Sequence, residues 1–250
     1  MKKTLIIGLS ASRQLAEQAS KQSGIELVQV EAKRFADGEI FVQLPETVRG
    51  KDVYIIQSLK TPVNDNLMEL LITIDALKRS SAKSITAVTP YFGYARQDRR
   101  AAGRQPISAK LVADLIQKAG AQHLVSVDFH SSPIEGFFDI PVDNVKGSLF
   151  LAKQIRKLEI PQLTIVSPDH GGAVRARAVA NNIGAPLAVI DKRRESANKA
   201  EAMFILGNVQ DRNVLLVDDM VDTGGTIATA IKMLKDNGAK DIYVAATHAV

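Results

Sequence analysis

The chain has 250 residues, of which 46% are hydrophobic and 24% are charged, as in an ordinary globular protein with a buried core. It contains no cysteine, which excludes disulfides, thiolate metal sites and a cysteine nucleophile. The formal net charge of +5 is modest for this length and suits small polyanionic ligands, so we expect no nucleic-acid partner.

The predicted elements alternate between strands and helices. The first strand, at residues 5–7, is too short for a signal peptide and is soon followed by polar residues, so we expect a cytoplasmic protein without membrane attachment. Further strands are predicted at residues 27–30, 53–56, 85–88, 124–127, 163–166, 187–190, 214–217 and 242–245. Helices are predicted at residues 13–20, 66–80, 109–119, 147–158, 173–182 and 226–237. This alternation predicts an α/β fold in which mostly parallel sheets are flanked by helices.

The pattern restarts near residues 143–147. We therefore expect two domains, at residues 1–145 and 146–250.

Three segments of the first half carry side chains suited to a ligand. Residues 34–39 form a compact turn whose composition by itself favours a solvent-facing hairpin. Residues 90–100 place three aromatic residues beside three arginines and a glutamine, which together provide stacking, hydrogen bonds and phosphate contacts for a nucleotide. His130 follows the strand at 124–127, where a structural histidine and a ligand of metal or nucleotide are equally expected.

A first glycine loop follows the strand at 163–166 and contains Asp169, His170, Gly171 and Gly172. A glycine pair alone is typical of a tight turn. However, a second such loop occurs later in the same half, and both lie at strand ends that lead into helices. Together they predict a place where two phosphate-bearing groups bind side by side.

A basic run follows the strand at 187–190 and includes Lys192 and Arg194. Such a run is often only a solvated surface. Here its strand should open onto the same crevice as the glycine loops, so these two cations are positioned to offset charge on a transferring phosphoryl group. Residues 195–202 are polar and rich in alanine, and we interpret them as a mobile flap.

The second glycine loop is the most informative segment. The apolar run at 214–217 is followed by Asp218 and Asp219, the acidic pair, and then by Asp222, Thr223, Gly224, Gly225 and Thr226. The glycines, the hydroxyls and the helix N-terminus suit a phosphate, whereas the acidic pair suits vicinal sugar hydroxyls or a metal ion. An ordinary turn with an aspartate cap needs fewer of these residues. The loop therefore predicts a site for a ribose 5-phosphate.

The second glycine loop resembles the phosphoribosyl-pyrophosphate fingerprint of the type I phosphoribosyltransferase fold. That fold includes nucleobase phosphoribosyltransferases, ribose-phosphate pyrophosphokinases and some regulators. Taken with segments 34–39, 64–70, 90–100, 136–139, 167–177 and 191–194, the chain resembles the ribose-phosphate pyrophosphokinases over essentially its whole length. The sequence contains neither a Walker loop nor a GxGxxG motif, so any ATP would be held by another device.

This resemblance implies an enzyme that transfers the diphosphoryl group of ATP to the 1-hydroxyl of ribose 5-phosphate, with Mg²⁺ as the metal. It implies two similar type I phosphoribosyltransferase-like halves, and a homo-oligomer in which dimers build a hexamer. Inorganic phosphate activates many members of the family, and ADP inhibits them. Members usually continue for several tens of residues beyond the strand at 242–245.

The resemblance also implies roles for individual residues. Six residues would bind ATP, the first three of them from a neighbouring subunit: Phe35, Asp37, Glu39, Arg96, Gln97 and His130. The pyrophosphate loop would consist of Asp169, His170, Gly171 and Gly172. His130 and Asp169 would lie at the Mg²⁺, and Lys192 and Arg194 would be catalytic. Seven residues would bind ribose 5-phosphate: Asp218, Asp219, Asp222, Thr223, Gly224, Gly225 and Thr226.

Two alternatives stay open at this point. A nucleobase phosphoribosyltransferase would share the second glycine loop but use no ATP, and segments 90–100 and 191–194 argue against it. A non-catalytic nucleotide-binding partner of an active synthetase would share most of the sequence, and the presence of both Lys192 and Arg194 argues against it.

Overall fold

The computed structural model describes residues 3–193 and 202–250 of the chain. The chain divides into two compact units, Met1–Val145 and Lys146–Val250. Each unit has its own sheet, its own helices and its own hydrophobic core.

The first unit is built on a six-stranded parallel sheet. The sheet strands are β1 (Thr4–Gly8), β2 (Glu26–Gln29), β5 (Asp52–Ile56), β6 (Ser84–Thr89), β7 (His123–Val127) and β8 (Val142–Val145). Their order in the sheet is β2-β1-β5-β6-β7-β8. Strands β3 (Ala32–Arg34) and β4 (Ile40–Val42) pair separately as an antiparallel hairpin. The helices are α1 (Arg13–Ser23), α2 (Val63–Arg79) and α3 (Ser108–Ala119), with 3-10 segments at Ser10–Ser12 and Ser132–Phe137.

Helices cover both faces of this sheet. Leu5 and Ile7 of β1 lie in the main core, whereas Ile6 points to the opposite face and packs with a smaller cluster near α1. On α2, Leu67, Leu70, Ile74 and Leu77 recur at spacings of three and four residues and form one buried face. Each such side chain contributes about 1.5–3 kcal/mol on burial. Within the described residues no helix is both long and apolar enough to cross a bilayer.

The second unit is built on a five-stranded sheet. Its elements are α4 (Ser148–Arg156), β9 (Leu163–Ser167), α5 (Ala173–Ile183), β10 (Leu187–Arg193), β11 (Ala202–Leu206), β12 (Asn213–Val221), α6 (Gly225–Asp236) and β13 (Ile242–Ala249). The strand order is β11-β10-β9-β12-β13. β11 pairs antiparallel with β10, and the other pairs are parallel.

The two units share one strand topology. In each, the first strand (β1 or β9) has the next strand of the parallel sheet (β2 or β10) on one side and a later strand (β5 or β12) on the other. The strand order therefore reverses at the first strand. Ligands of α/β sheets bind at such a switch point, beyond the carboxyl ends of the strands. The predicted fold of two similar α/β halves with mostly parallel sheets is confirmed.

All nine predicted strands and all six predicted helices are present, with ends that differ by a few residues. Four of the described strands were not among those predicted: β3 and β4 of the hairpin, and β8 and β11 of the two larger sheets. β8 contains Asp143 and Asn144, which are residue types depleted in strands, and it forms by pairing with β7. The predicted flap at residues 195–202 lies outside the described residues except for Ala202, which begins β11.

Candidate active site

The acidic pair lies on strand β12 and not in the loop that follows it. The sequence predicts a strand that ends at Val217, but β12 continues to Val221 and remains paired with β13 over this stretch. That prediction was wrong because aspartates disfavour strands, and here pairing with β13 outweighs their preference. As a result, Asp219 is held by a sheet strand and its side chain is only 5% exposed.

Arg175 faces the acidic pair from helix α5. Its Nη1 atom lies 3.3 Å from Oδ1 of Asp219 and 3.6 Å from Oδ1 of Asp218. The backbone N–H of Asp219 donates a hydrogen bond of 2.8 Å to Oδ1 of Asp218. One guanidinium group thus offsets the charge of two adjacent carboxylates where little water reaches them.

The environment of Asp218 disfavours its charged form. Burial, followed by the hydrogen bond and the negative charge of Asp219, raises the pKa of the Asp218 carboxyl to about 7. The backbone N–H of Asp219 and the positive charge of Arg175 act in the opposite direction. Between its ordinary pKa and about pH 7, Asp218 therefore holds a proton in the folded protein that the unfolded chain releases.

The second glycine loop leads directly from β12 into α6. Gly224 occupies the position before the helix and has φ 79°, a left-handed conformation that favours glycine. Because glycine has no side chain, it gives α6 no side-chain cap. The other four residues of the loop are exposed: Asp222, Thr223, Gly225 and Thr226. This helix end therefore presents N–H groups and hydroxyls suited to an anion.

The first glycine loop is closed by its own aspartate. The backbone N–H of Gly172 donates to Oδ1 of Asp169 at 2.8 Å, and the Ser167 hydroxyl donates to the Asp169 carbonyl oxygen at 2.7 Å. A Cβ atom on Gly172 would lie 2.9 Å from Oγ of Ser167, so a larger residue does not fit. His170 and Gly171 are exposed at the tip of the loop.

Both glycine loops lie at the same edge of the second sheet. β9 and β12 are parallel neighbours, and Val166 pairs with Leu216 just before the two loops begin. β10 lies on the other side of β9, where Val189 pairs with Ser167. Lys192 is part of β10 and pairs through its backbone with Met203 of β11, whereas Arg194 lies outside the described residues.

In the first unit, the turn between β3 and β4 forms the hairpin that its composition favours. It exposes Phe35, Asp37 and Glu39. Arg34 fixes the turn, because its Nη1 donates to the Gly38 carbonyl at 3.1 Å and its Nη2 lies 2.8 Å from Oδ2 of Asp65 on α2. The three exposed side chains thus belong to a turn that the Arg34–Asp65 ion pair links to the first turn of α2.

The aromatic and arginine-rich segment at 90–100 follows β6 and is hydrogen-bonded to the same helix, α2. The Tyr94 hydroxyl donates to Oδ1 of Asn64, which neighbours Asp65 in the first turn of α2. Arg96 and Gln97 are exposed, and the Gln97 side-chain oxygen accepts a hydrogen bond from the Ser108 hydroxyl. The first turn of α2 therefore connects this segment to the hairpin.

His130 is exposed in the loop that follows β7. The next residue, Ser131, donates to Oδ2 of Asp98 at 2.5 Å. The preceding residue, Phe129, packs against Phe92 with ring centroids 5.4 Å apart. These two contacts join the His130 loop to segment 90–100, so the predicted ATP-binding residues of the first unit belong to one connected region.

Sequence reasoning missed Arg175. Arg175 forms no distinctive local pattern with its sequence neighbours, and its role here depends on the contact of α5 with β12, 44 residues further along the chain. No preformed cluster of three or more metal-ligating side chains occurs within residues 3–193 and 202–250.

Two family models together match most of the chain. Residues 4–120 match the family model described as the N-terminal domain of ribose phosphate pyrophosphokinase. Residues 145–250 match the phosphoribosyl transferase domain.

The chain is 55% identical over 241 residues to the ribose-phosphate pyrophosphokinase of Campylobacter jejuni, covering 96% of this chain and 78% of that protein. It is 52% identical over 250 residues to the enzyme of the same name from Mycoplasma genitalium, covering 100% of this chain and 75% of the relative. Its structure resembles the crystal structure of phosphoribosylpyrophosphate synthetase from Mycobacterium smegmatis. In that comparison the TM-score is 0.92 at 45% identity, over 99% of this chain and 82% of the other. The chain therefore belongs to the ribose-phosphate pyrophosphokinase family.

Proposed function

We propose that this protein transfers the diphosphoryl group of ATP to the 1-hydroxyl of ribose 5-phosphate, forming 5-phosphoribosyl 1-diphosphate and AMP. The observation that carries this proposal is the arrangement at one edge of the second sheet. There an acidic pair, in which Asp219 is buried and Asp218 partly buried, lies on the strand that leads to a helix end that no side chain caps. Relatives about half identical to the chain over nearly its whole length bear the matching enzyme name.

The second unit would bind ribose 5-phosphate. The phosphate would lie at the N-terminus of α6, where the loop N–H groups and the hydroxyls of Thr223 and Thr226 donate hydrogen bonds. Asp218 and Asp219 would accept hydrogen bonds from the vicinal hydroxyls of the sugar, because an ionised carboxylate is purely an acceptor. The 1-hydroxyl would then face the first glycine loop on the neighbouring strand, where the diphosphate is expected.

The first unit would contribute the nucleotide site. Arg96 and Gln97 would contact ATP, whereas the hairpin turn with Phe35, Asp37 and Glu39 would reach the ATP site of another copy of the chain. The exposure of this turn and its attachment to α2 support such a role. Assembly into a homo-oligomer, with a hexamer of dimers as the family expectation, is part of the proposal. The cytoplasmic location stays a prediction of the sequence.

The donor set in the second unit fits Mg²⁺. This ion is usually held by one or two carboxylates together with substrate phosphates, and does not require a cage of protein ligands. Asp169 offers such a carboxylate at the mouth of the first glycine loop, with Oδ1 oriented by the Gly172 N–H. When bound, the ion would supply positive charge to the phosphate oxygens of ATP. The role of His130 as a second ligand stays a prediction.

The chemical step requires further positive charge. In-line attack on the β-phosphorus brings together two anionic substrates and shifts charge onto the leaving AMP. Lys192 and Arg194 would stabilise that charge while the loops hold the reacting groups in line.

Labelled ATP tests the proposed reaction. With ribose 5-phosphate and Mg²⁺, a label on the α-phosphate is expected in AMP, and labels on the β- and γ-phosphates are expected together in the sugar product. The Asp218→Ala variant should lose most of this activity, whereas Asp236→Ala on the exposed side of α6 should keep it. Transfer of the γ-phosphate alone would contradict the proposal. Consumption of a nucleobase without ATP would instead indicate a phosphoribosyltransferase.

A further inference from the structure

Arg175 borders both glycine loops of the second unit. It lies in the first turn of α5, the helix into which the first glycine loop leads, and its guanidinium contacts the acidic pair on β12. A Cβ atom on Gly172 would lie 3.9 Å from Nη1 of Arg175 and 3.6 Å from Oδ1 of Asp169. The guanidinium therefore borders both the acidic pair and the bare backbone of the first glycine loop.

The acidic pair needs a cation in order to bind hydroxyls. Two adjacent carboxylates in a poorly hydrated place repel each other, and the pair lowers this repulsion by taking up a proton. A protonated carboxyl offers fewer acceptor sites to a sugar than an ionised one. At 14% exposure, the Arg175 side chain has little freedom to leave this position.

We propose that Arg175 is a positioning residue for ribose 5-phosphate, which keeps Asp218 and Asp219 in the orientation and charge state that accept hydrogen bonds from the vicinal hydroxyls of the sugar. This inference rests on the proposed function of the second unit, and it assigns Arg175 no contact with the reacting atoms.

Two charged groups act directly on Asp218, namely Asp219 on β12 and Arg175 on α5. The neighbouring strands add two titratable residues, Asp169 after the end of β9 and His248 on β13, whose backbone pairs with Met220. Removal of the Arg175 charge should raise the pKa of Asp218 above its present value of about 7. Ribose 5-phosphate affinity in such a variant should then recover only at more alkaline pH.

The test compares Arg175→Gln, Arg175→Lys and a control, Arg177→Gln, which changes an exposed arginine of the same helix. Binding of ribose 5-phosphate is measured by calorimetry from pH 6 to pH 9, alongside turnover. We expect Arg175→Gln to weaken binding about tenfold or more at pH 7, the usual effect of losing a charge-assisted contact. The loss should shrink towards pH 9. Arg175→Lys should recover part of the affinity, and Arg177→Gln should match the wild type.

The outcomes separate this inference from the proposed function. If the wild type binds ribose 5-phosphate and Arg175→Gln binds it equally well, only the role of Arg175 is overturned. A uniform loss at every pH, without recovery in Arg175→Lys, would reduce Arg175 to a structural residue and also overturn it. If the wild type itself binds no ribose 5-phosphate, both the inference and the proposed function are contradicted.

Discussion

Asp218 holds a carboxyl group where burial and a neighbouring carboxylate disfavour its charge. Its pKa is raised, so the folded state binds more protons than the unfolded state between about pH 4 and 7. The free energy of unfolding therefore falls as the pH rises through this window. Above pH 7 the Asp218 carboxylate is ionised and the free energy of unfolding is lower. In this ionised form the carboxylate can accept hydrogen bonds from a ligand.

The variant Asp218→Asn is expected to be more stable than the wild type but to bind ribose 5-phosphate more weakly. The amide is uncharged at every pH, and its oxygen can still accept the Asp219 N–H. At pH 8 the variant should melt a few degrees above the wild type, because ~1 kcal/mol shifts the melting temperature of a domain this size by that amount. The difference should disappear near pH 5, where the wild-type carboxyl is protonated. Thermal melts at both pH values check this.

Asp236→Asn provides the matched control, because the Asp236 side chain on α6 is 65% exposed. Its melting temperature should follow that of the wild type at both pH values. An Asp218→Asn variant that is equally or less stable than the wild type at pH 8 would contradict the assigned charge state.

Most of the candidate site residues could be located from the sequence alone, but their burial and their contacts could not. The apolar run before Asp218 and the glycines after Asp222 were enough to predict the loop. The burial of Asp219 and its contact with Arg175 depend on β12 extending past Val217 and on α5 packing over it. Such tertiary contacts leave no local signal in the sequence.

In the first unit, the carboxylate of Glu69 on helix α2 occupies the switch point next to β1. Glu69 is 3% exposed and lies beyond the carboxyl ends of β1 and β5. It accepts hydrogen bonds from the backbone N–H and the hydroxyl of Ser10, and from Nε2 of Gln57 at 2.8 Å. The corresponding edge of the second unit carries the two glycine loops, so the two units place different groups at the same point of one topology.

Glu69→Ala should destabilise the first unit by about 2–4 kcal/mol, because Ser10 and Gln57 would lose the acceptor of their buried hydrogen bonds. Hydrogen exchange of the β1 and β5 amides measures the loss in this unit. Asp75→Ala, which breaks an exposed ion pair with Arg79 on the same helix, should leave the stability of the unit nearly unchanged, because solvent screens such a pair. Equal protection of these amides in the Glu69 and Asp75 variants would contradict the stabilising role of Glu69.

Elements with a strong internal pattern were predictable, and those that depend on partners were not. The strands β1 and β5 contain continuous apolar runs, and β9 is interrupted only by the buried Thr164, as expected for buried parallel strands. β8 instead depends on β7, and β11 on an antiparallel pairing with β10. β12 was predicted but its end was not, since two aspartates, Asp218 and Asp219, interrupt the apolar run before Met220 and Val221.

At the scale of the whole molecule, the exposed hairpin turn leads to a prediction about subunits. If Phe35 of one copy completes the ATP site of another, Phe35 and Lys192 of one site come from two different subunits. Phe35→Ala and Lys192→Ala then each damage the shared site from a different subunit. Each variant alone should be nearly inactive. A refolded equal mixture should regain activity at about a quarter of its sites, the statistical yield for a two-fold interface. A mixture no more active than its components would place the turn outside any shared site.

If the N-terminus of α6 binds the phosphate as proposed, the stability of the folded protein depends on the concentration of that ligand. A ligand that binds only the native chain adds to its stability by mass action, about 2.7 kcal/mol at a hundredfold excess over the dissociation constant. Serine or aspartate in place of Gly224 would have provided a permanent side-chain cap, whereas with Gly224 the proposed phosphate would supply that contribution only when it is bound. In a cell rich in sugar phosphate, the folded protein would thus be more stable and persist longer than in a starved cell.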